Sequence, residues 1–398
     1  MRRLLALITG GLMLMGTTAV AQTVPLPGQA AGFMSDNVEY VGFVPFEVGT
    51  STGISIQGKY LYLTSWKNIS VYDISDPTAP QRLDTEPIGF WFENENVQVT
   101  PDGNTLFFAE SLPGNALHVW DVEDKSNISE IATLEGAGDH TTSCILRCKY
   151  LYGSDGSIVD VRKPAEPKLI AANTAADNDK KWTTLATGQN FSNHDVEEVK
   201  NGFILTSPIS GNFHYIDVRK PTKPKVVAIG AKPVEETGWL IHSNDWPRDA
   251  TDDIIVVQGE QNAQTFCDDQ NGPVQTYDAS KWKKTKTFTH IDTFRVANGT
   301  YADGSPAANG LGCSAHWFEV HPSWKDGGLV AFGYYEHGTR FLLVDKKGKI
   351  SEAGYFLPHG GSTSAAYWPE TGKKTDIVYA VDYTRGIDIL RYTGDLKK

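Results

Sequence analysis

Residues 71–80 read VYDISDPTAP: an apolar strand-like run, an aspartate at Asp73, then a turn carrying Pro77 and Pro80. The phrase returns as VWDVEDKSN around Asp121, IVDVRKPAEP around Asp160, YIDVRKPTKP around Asp217, QTYDASKW around Asp278 and FLLVDKKGK around Asp345. A shortened seventh copy, GIDILRYTG, surrounds Asp388. The mean spacing is about 52 residues, a long period of the kind that marks repeat architectures. An aspartate in the turn after a strand ordinarily accepts backbone N–H bonds. The seven repeated acids therefore read as turn anchors rather than ligands.

Upstream of these phrases lies a second strand pair, as in GISIQGKYLYLTS, VQVTPDGNTLFFAE and SCILRCKYLYGS. Alternation in KYLYLTS indicates strands rather than helices, and no long helical pattern is present. Each unit reads as four short antiparallel strands, A to D, and seven such units predict an all-β, seven-bladed β-propeller. The last repeat stops after its third strand. The segment NVEYVGFVPFEV, residues 37–48, resembles the fourth strands of other repeats and precedes the first unit. It is expected to complete blade 7 and close the ring, which removes an exposed edge. One domain, residues 37–398, follows a short lead, 22–36.

Residues 1–21 carry Arg2 and Arg3, an apolar run from Leu4 to Met15 and small residues ending Ala19-Val20-Ala21. This reads as a cleavable Sec-type signal peptide, cut near Ala21-Gln22 and implying a periplasmic or secreted protein. The run is too short to span a bilayer comfortably, so no membrane insertion is expected. Loss of this segment moves the net charge from −12 to −14, because Arg2 and Arg3 go and no acid does. Such a surface disfavours nucleic acid as a partner. In an oxidising compartment the four cysteines read first as two disulfides. Cys144 and Cys148 flank a tight turn at Leu146-Arg147, which leaves Cys267 with Cys313; other pairings stay open.

Aligned at the start of strand A, four consecutive repeats place a histidine at one equivalent position: His140, His194, His242 and His316. The same position falls at or near Glu95 in blade 2, at Ser364 in blade 7 and in the stretch Ser51-Thr52 in blade 1. In a propeller such positions ring the channel at one mouth. Converging imidazoles can share a divalent transition metal such as copper or zinc, and Glu95 can complete the sphere or act as a base. They can equally form a metal-free polar site, or brace the ring by bonding a neighbouring blade's backbone. Loops opening on the same face bring Glu110, Asp155, Glu260, Tyr335, Glu336, Tyr383 and Arg385. Arg385 suits a substrate carboxylate or sulfate, or else an ion pair with Asp382 or Glu336. Tyr335 and Tyr383 read as wall or as proton donors. His118, His214, His290, His321 and His359 share no repeat position, and His337 is only a peripheral candidate. There is no phosphate-binding loop or helical H-E-x-x-H, which removes support for nucleotide and zincin chemistry.

FLLVD (341–345), GSIVD (156–160) and YIDVRKP resemble the LVIVD-repeat proteins, exported β-propellers, and CSAHWFEV, GYYEHGTRFLLVD and VYAVDYTRGIDILRY look the most family-like. The resemblance runs from about residue 38 to 392; it implies fold and export, and no single activity. More distantly, the placement of the four histidines is similar to that in copper-bearing propellers such as nitrous oxide reductase and the selenium-binding/methanethiol oxidase group, although their full ligand sets are not found. Propeller polysaccharide lyases, with His and Tyr as acid and base, are a third analogue. The resulting expectation is an exported oxidoreductase or lyase with a metal at His140, His194, His242 and His316, acting on a small or anionic organic substrate, with Glu95, Tyr335, Glu336, Tyr383 and Arg385 at the chemistry. The competing class is a scaffold docking another exported protein.

Overall fold

The segment Tyr60–Ser65 shows why alternation alone understates burial in this chain. Leu61 and Leu63 pack into a cluster with Tyr379, Val381 and Ile389, whereas Tyr62 between them packs with Leu106, Phe108 and Trp120. Successive strand residues point to opposite faces, and here each face meets a different neighbouring sheet. Both faces are consequently dry. Full burial of such side chains is worth roughly 1.5–3 kcal/mol each relative to exposure.

The computed structural model describes residues 32–45, 51–89, 95–110, 115–138, 140–171, 180–231, 233, 239–261, 267, 271–297, 312–369 and 375–396. The expected signal peptide, residues 1–21, and the lead as far as residue 31 lie outside them. Among the described residues the chain is all-β, with three helices of four to six residues. None is long and apolar enough to cross a membrane.

The strands form antiparallel sheets taken in chain order around a β-propeller. Ser51–Gln57, Tyr60–Ser65, Asn68–Asp73 and Gln81–Pro87 make the first, and the sheets spanning 98–135 and 142–171 repeat the pattern. The strands from 193 to 294 form one eight-stranded sheet, in which two four-stranded halves join through a short parallel contact, Ile229↔Thr287 and Gly230↔Phe288. Phe318–Val320, Gly328–Gly333, Thr339–Val344 and Ile350–Pro358 follow. Gly32–Met34, from the lead, adds a fifth strand to that sheet against Ile350–Pro358. In the last sheet Val38–Pro45 pairs with Gly386–Tyr392, from Val38↔Tyr392 to Pro45↔Gly386. The two ends of the domain are thus joined by a ladder of backbone bonds, as expected for a segment with no partner in its own repeat.

Six of the repeated aspartates are turn anchors. The carboxylates of Asp73, Asp121, Asp160, Asp217, Asp278 and Asp345 each accept the N–H two residues on, at 2.7–3.1 Å. Asp388 departs from the set. It lies opposite Ala380 in mid-strand, and Arg391 occupies the register slot, opposite Ile377, that Asp73 fills opposite Tyr60. The reason is connectivity: the fourth strand here comes from the N-terminus, so no turn follows and no anchor is needed. Buried Asp388 instead accepts Tyr40 Oη at 3.2 Å and pairs with Arg385. Both disulfides form in the expected pairing, Cys144–Cys148 and Cys267–Cys313.

Candidate metal centre

Backbone bulges aim the repeat-equivalent side chains inward. In the strand Asn193–Lys200 the register slips between Asn193 and Asp195, and in Trp239–Asp245 it slips between Ile241 and Ser243. The extra residues are His194 and His242. The same slip occurs at Ser364 and at Thr52. A bulge leaves one residue out of the ladder and re-aims it, so the position common to the repeats has a common geometric cause. His140 and His316 precede their strands and reach the same place from loops.

All four imidazoles converge on Glu95. Nε2 lies 3.3 Å from Glu95 Oε2 for His140, 3.2 Å for His194 and 3.4 Å for His242, and His316 Nε2 is 3.0 Å from Oε1. Trp317 Nε1 donates to Oε2 at 3.1 Å. The rings follow one another in sequence: His194 and His242 are stacked with centroids 3.6 Å apart, and His316 lies tilted 4.2 Å from His242. Glu95 is 2 % exposed at its side chain, His242 and His316 are buried, and His140, at 25 %, is the open edge of the group.

The far ring nitrogens explain the orientation. His194 Nδ1 donates to His242 O at 3.1 Å, and His316 Nδ1 to Ser364 O at 2.8 Å. A carbonyl can only accept, so both Nδ1 atoms carry hydrogen and both Nε2 atoms face Glu95. Bonding to a neighbouring sheet's backbone is therefore real, and it accounts for one nitrogen of each ring. His242 differs, since among the described residues neither of its ring nitrogens has a hydrogen-bond partner.

Charge is concentrated here. Burial pushes the Glu95 carboxyl up, but His316, His140 and His194 outweigh it and hold the group well below the ordinary carboxylate range. Burial, with repulsion from His194 and His316, drives His242 well below the usual histidine range despite Glu95. Three sets of side chains each bring ligand atoms within 4.8 Å of one another: Glu95, His140 and His194; Glu95, His242 and His316; and His194, His242 and Glu260. These buried groupings can hold a metal ion.

The remaining candidates divide. Tyr335, with its ring 4.6 Å from His316, donates its hydroxyl to Glu260 Oε1 at 2.6 Å. Tyr383 lies beyond it, its ring tilted 6.0 Å from Tyr335 and 6.2 Å from His316. Glu336 is tied through its backbone N–H to Gly312 O at 3.1 Å and is not among the groups gathered on Glu95. Among the described residues Arg385 pairs with Asp388, in its own sheet, at 2.8 and 3.1 Å rather than with Asp382 or Glu336. Glu110 holds His118 at 3.2 Å, and Asp155 accepts Ser157 N at 2.8 Å; neither belongs to the ligand groupings around the histidines.

Repeat spacing assigns no role to Trp317 or to the acids behind the centre. A cavity of about 330 Å³ on the inner side of Glu95 is lined by Asp195, Glu197, Asp245, Glu319 and Tyr367 among others. Burial raises Asp195 to about 6, and burial together with Asp252 raises Asp245 to about 7. Glu197 is exposed toward the same cavity; desolvation by its surroundings, then Asp195 and Asp245, push it above the ordinary range. The signal that could have found them is period-2 spacing in HDVE, which sends Asp195 and Glu197 to the same side of their strand.

Residues 48–83 match the LVIVD repeat family model. A search of curated proteins gave no match. Among solved structures, the chain is similar to the β-propeller domain of Cps50 (Swd1) from Myceliophteria thermophila, with TM-score 0.57 at 10 % identity, covering 88 % of this chain and 99 % of that one. At that identity the likeness speaks for the fold alone. The class is a β-propeller with a buried His/Glu cluster. Within it, residues 48–83 carry the LVIVD repeat, and the fold is that of a β-propeller domain.

Proposed function

We propose that this is an exported seven-bladed propeller whose His140, His194, His242, His316 and Glu95 bind a divalent transition metal, copper or zinc, in the active site of an oxidoreductase or lyase-type enzyme. Seven blades are supported by counting the eight-stranded sheet as two, in line with the seven sequence repeats. Export is supported by the leader-like N-terminus and the two disulfides.

The observation that carries the metal reading is the protonation problem around Glu95. His194 and His316 already hold hydrogen on Nδ1. Their Nε2 atoms then offer lone pairs toward a carboxylate, acceptor against acceptor, unless both rings become imidazolium in a buried site. Burying such charges is costly without full pairing. A cation shared by the Nε2 atoms and Glu95 removes the conflict and also satisfies His242. The donor set, imidazole nitrogen with carboxylate oxygen, suits borderline divalent ions.

A bound ion of this kind would polarise a substrate oxygen or acidify a bound water. Of the protein groups, Tyr335 and Tyr383 stand beside His316 as hydroxyl donors, and the partly open His140 marks the approach for a small substrate. An anionic substrate would reach Arg385 only if that residue leaves Asp388. A second reading, a docking face for another exported protein, draws on Trp66 and Ile209. These are 39 % and 43 % exposed and follow the second strands of their sheets.

The test is elemental analysis of untagged mature protein beside a variant carrying His194→Ala and His242→Ala. A near-stoichiometric transition metal, lost in the variant with the fold intact, is the expected result. No metal in either sample after reconstitution would move the assignment to a metal-free acid/base site or the docking face.

A further inference from the structure

We propose that Glu260 is a metal ligand together with His194 and His242, steered into place by the Tyr335 hydroxyl. The inference rests on the metal reading above and extends it to a residue that shares no repeat position with the histidines.

Three features converge on Glu260. Its carboxylate oxygen lies within 4.8 Å of a ring nitrogen of both His194 and His242, so the three residues present a ligand face of their own. Tyr335 Oη donates to Oε1 at 2.6 Å. A ligating carboxylate is commonly oriented by such an outer hydrogen bond, which leaves further lone pairs for the ion. Both arms of the pair are held by backbone. Tyr335 sits in the left-handed region at φ 41°, and its N–H and C=O each bond Thr363 at 2.9 Å across to the next sheet. Left-handed backbone at a bulky residue persists only where its surroundings impose it.

The strand carrying Glu260 is equally constrained. Glu260 lies opposite Leu240, and its neighbour Gly259 donates to Pro273 O at 2.8 Å. A Cβ on Gly259 would come within 2.3 Å of the Trp239 ring and 2.9 Å of Pro273. Glycine thus lets the strand lie close enough to bring Glu260 to the imidazoles.

The donor set of this face comprises two imidazoles and one carboxylate. All four cysteines are in disulfides, so no thiolate competes. Oxygen donors of this kind favour a divalent ion over soft monovalent copper.

The experiment titrates the untagged, metal-stripped mature protein with Co(II), reading affinity and the visible d–d bands. Wild type, Glu260→Ala, Tyr335→Phe and the His194/His242 double variant are compared, with thermal melts confirming folding. Glu260→Ala should still bind one ion, but 10–100-fold more weakly and with altered bands that report a changed coordination sphere. Tyr335→Phe should weaken binding about tenfold with little spectral change, because the ligand remains and only its orientation is lost. Wild-type affinity and spectrum in Glu260→Ala would overturn the role of Glu260 while leaving the histidine centre standing. Failure of wild type itself to bind Co(II) would instead remove the metal reading and this inference with it. Should Glu260→Ala not fold, Glu260→Gln, which keeps the volume and an acceptor for Tyr335, must show the weakening.

Discussion

The chain repeats two residues around its ring, and the two meet opposite fates. At the rim, aspartates after the third strands each cap a turn within their own sheet, as Asp73 does for Ser75 and Asp217 for Arg219. Near the axis, histidines at the start of the first strands leave their own sheets and crowd one carboxylate, Glu95. Rim positions diverge, so a copied residue stays a local device in water. Axial positions converge, so a copied residue becomes one composite site. The same repetition thus produces independent turns outside and coupled chemistry inside.

If that contrast holds, axial substitutions should cost far more than rim ones. Glu95→Gln leaves the surrounding imidazoles without their counter-charge. Stripping one partner from a buried charged group should destabilise the metal-free protein by about 3–5 kcal/mol, read by urea unfolding, and should also weaken metal uptake. An unchanged midpoint would mean that the cluster is not ion-paired.

The two disulfides should differ in the same sense. Cys267–Cys313 closes 46 residues and ends three positions before His316, whereas Cys144–Cys148 closes 4. Loop-closure entropy gives about 4 kcal/mol for removing the first and about 2 for the second. Paired Cys→Ser variants under chemical denaturation should reproduce that order. Only the first should also reduce metal retention. Equal effects on the metal would detach the bridge from the centre.

Axis and rim should also differ in the sign of their pH dependence. Burial and Asp252 raise Asp245 to about 7 in the folded chain. Its contribution is therefore complete below the ordinary carboxylate pKa near 4 and is lost as the pH rises through about 7. Asp245→Asn should stabilise the protein at pH 8 by on the order of 2 kcal/mol, discounted for its contact with channel water, and do little at pH 4. A gain that is the same at both pH values would contradict the burial argument. Asp217 runs the other way: the Arg219 hydrogen bond, aided by the turn N–H, lowers it against the opposing effect of desolvation. Its contribution is present above the ordinary pKa and lost as the pH falls through the lowered one. Asp217→Ala should cost about 1 kcal/mol or less near neutrality and leave metal content untouched. Loss of metal from this rim variant would break the separation of the two regions.

Much of the architecture and of the histidine cluster is legible in the amino-acid sequence. Period-2 alternation, recurring turn phrases and an unpaired N-terminal segment are local signals, and backbone hydrogen bonding leaves repeated strand quartets little choice but to stack and close. Aligning the repeats also brings out His140, His194, His242 and His316, with Glu95 beside them, because equivalent positions in a ring must share one radius. Alignment misplaces the aspartate of the seventh copy, since the register of Gly386–Tyr392 depends on a partner strand some 340 residues away. That Arg385 chooses Asp388, that Glu260 approaches His194 and His242, and that Asp195 and Asp245 line one cavity with Glu95 cannot be read from spacing. Repetition along a chain determines which positions are equivalent. Which equivalent positions touch, and with what charge between them, is decided only when the sheets pack around a common axis and water is excluded.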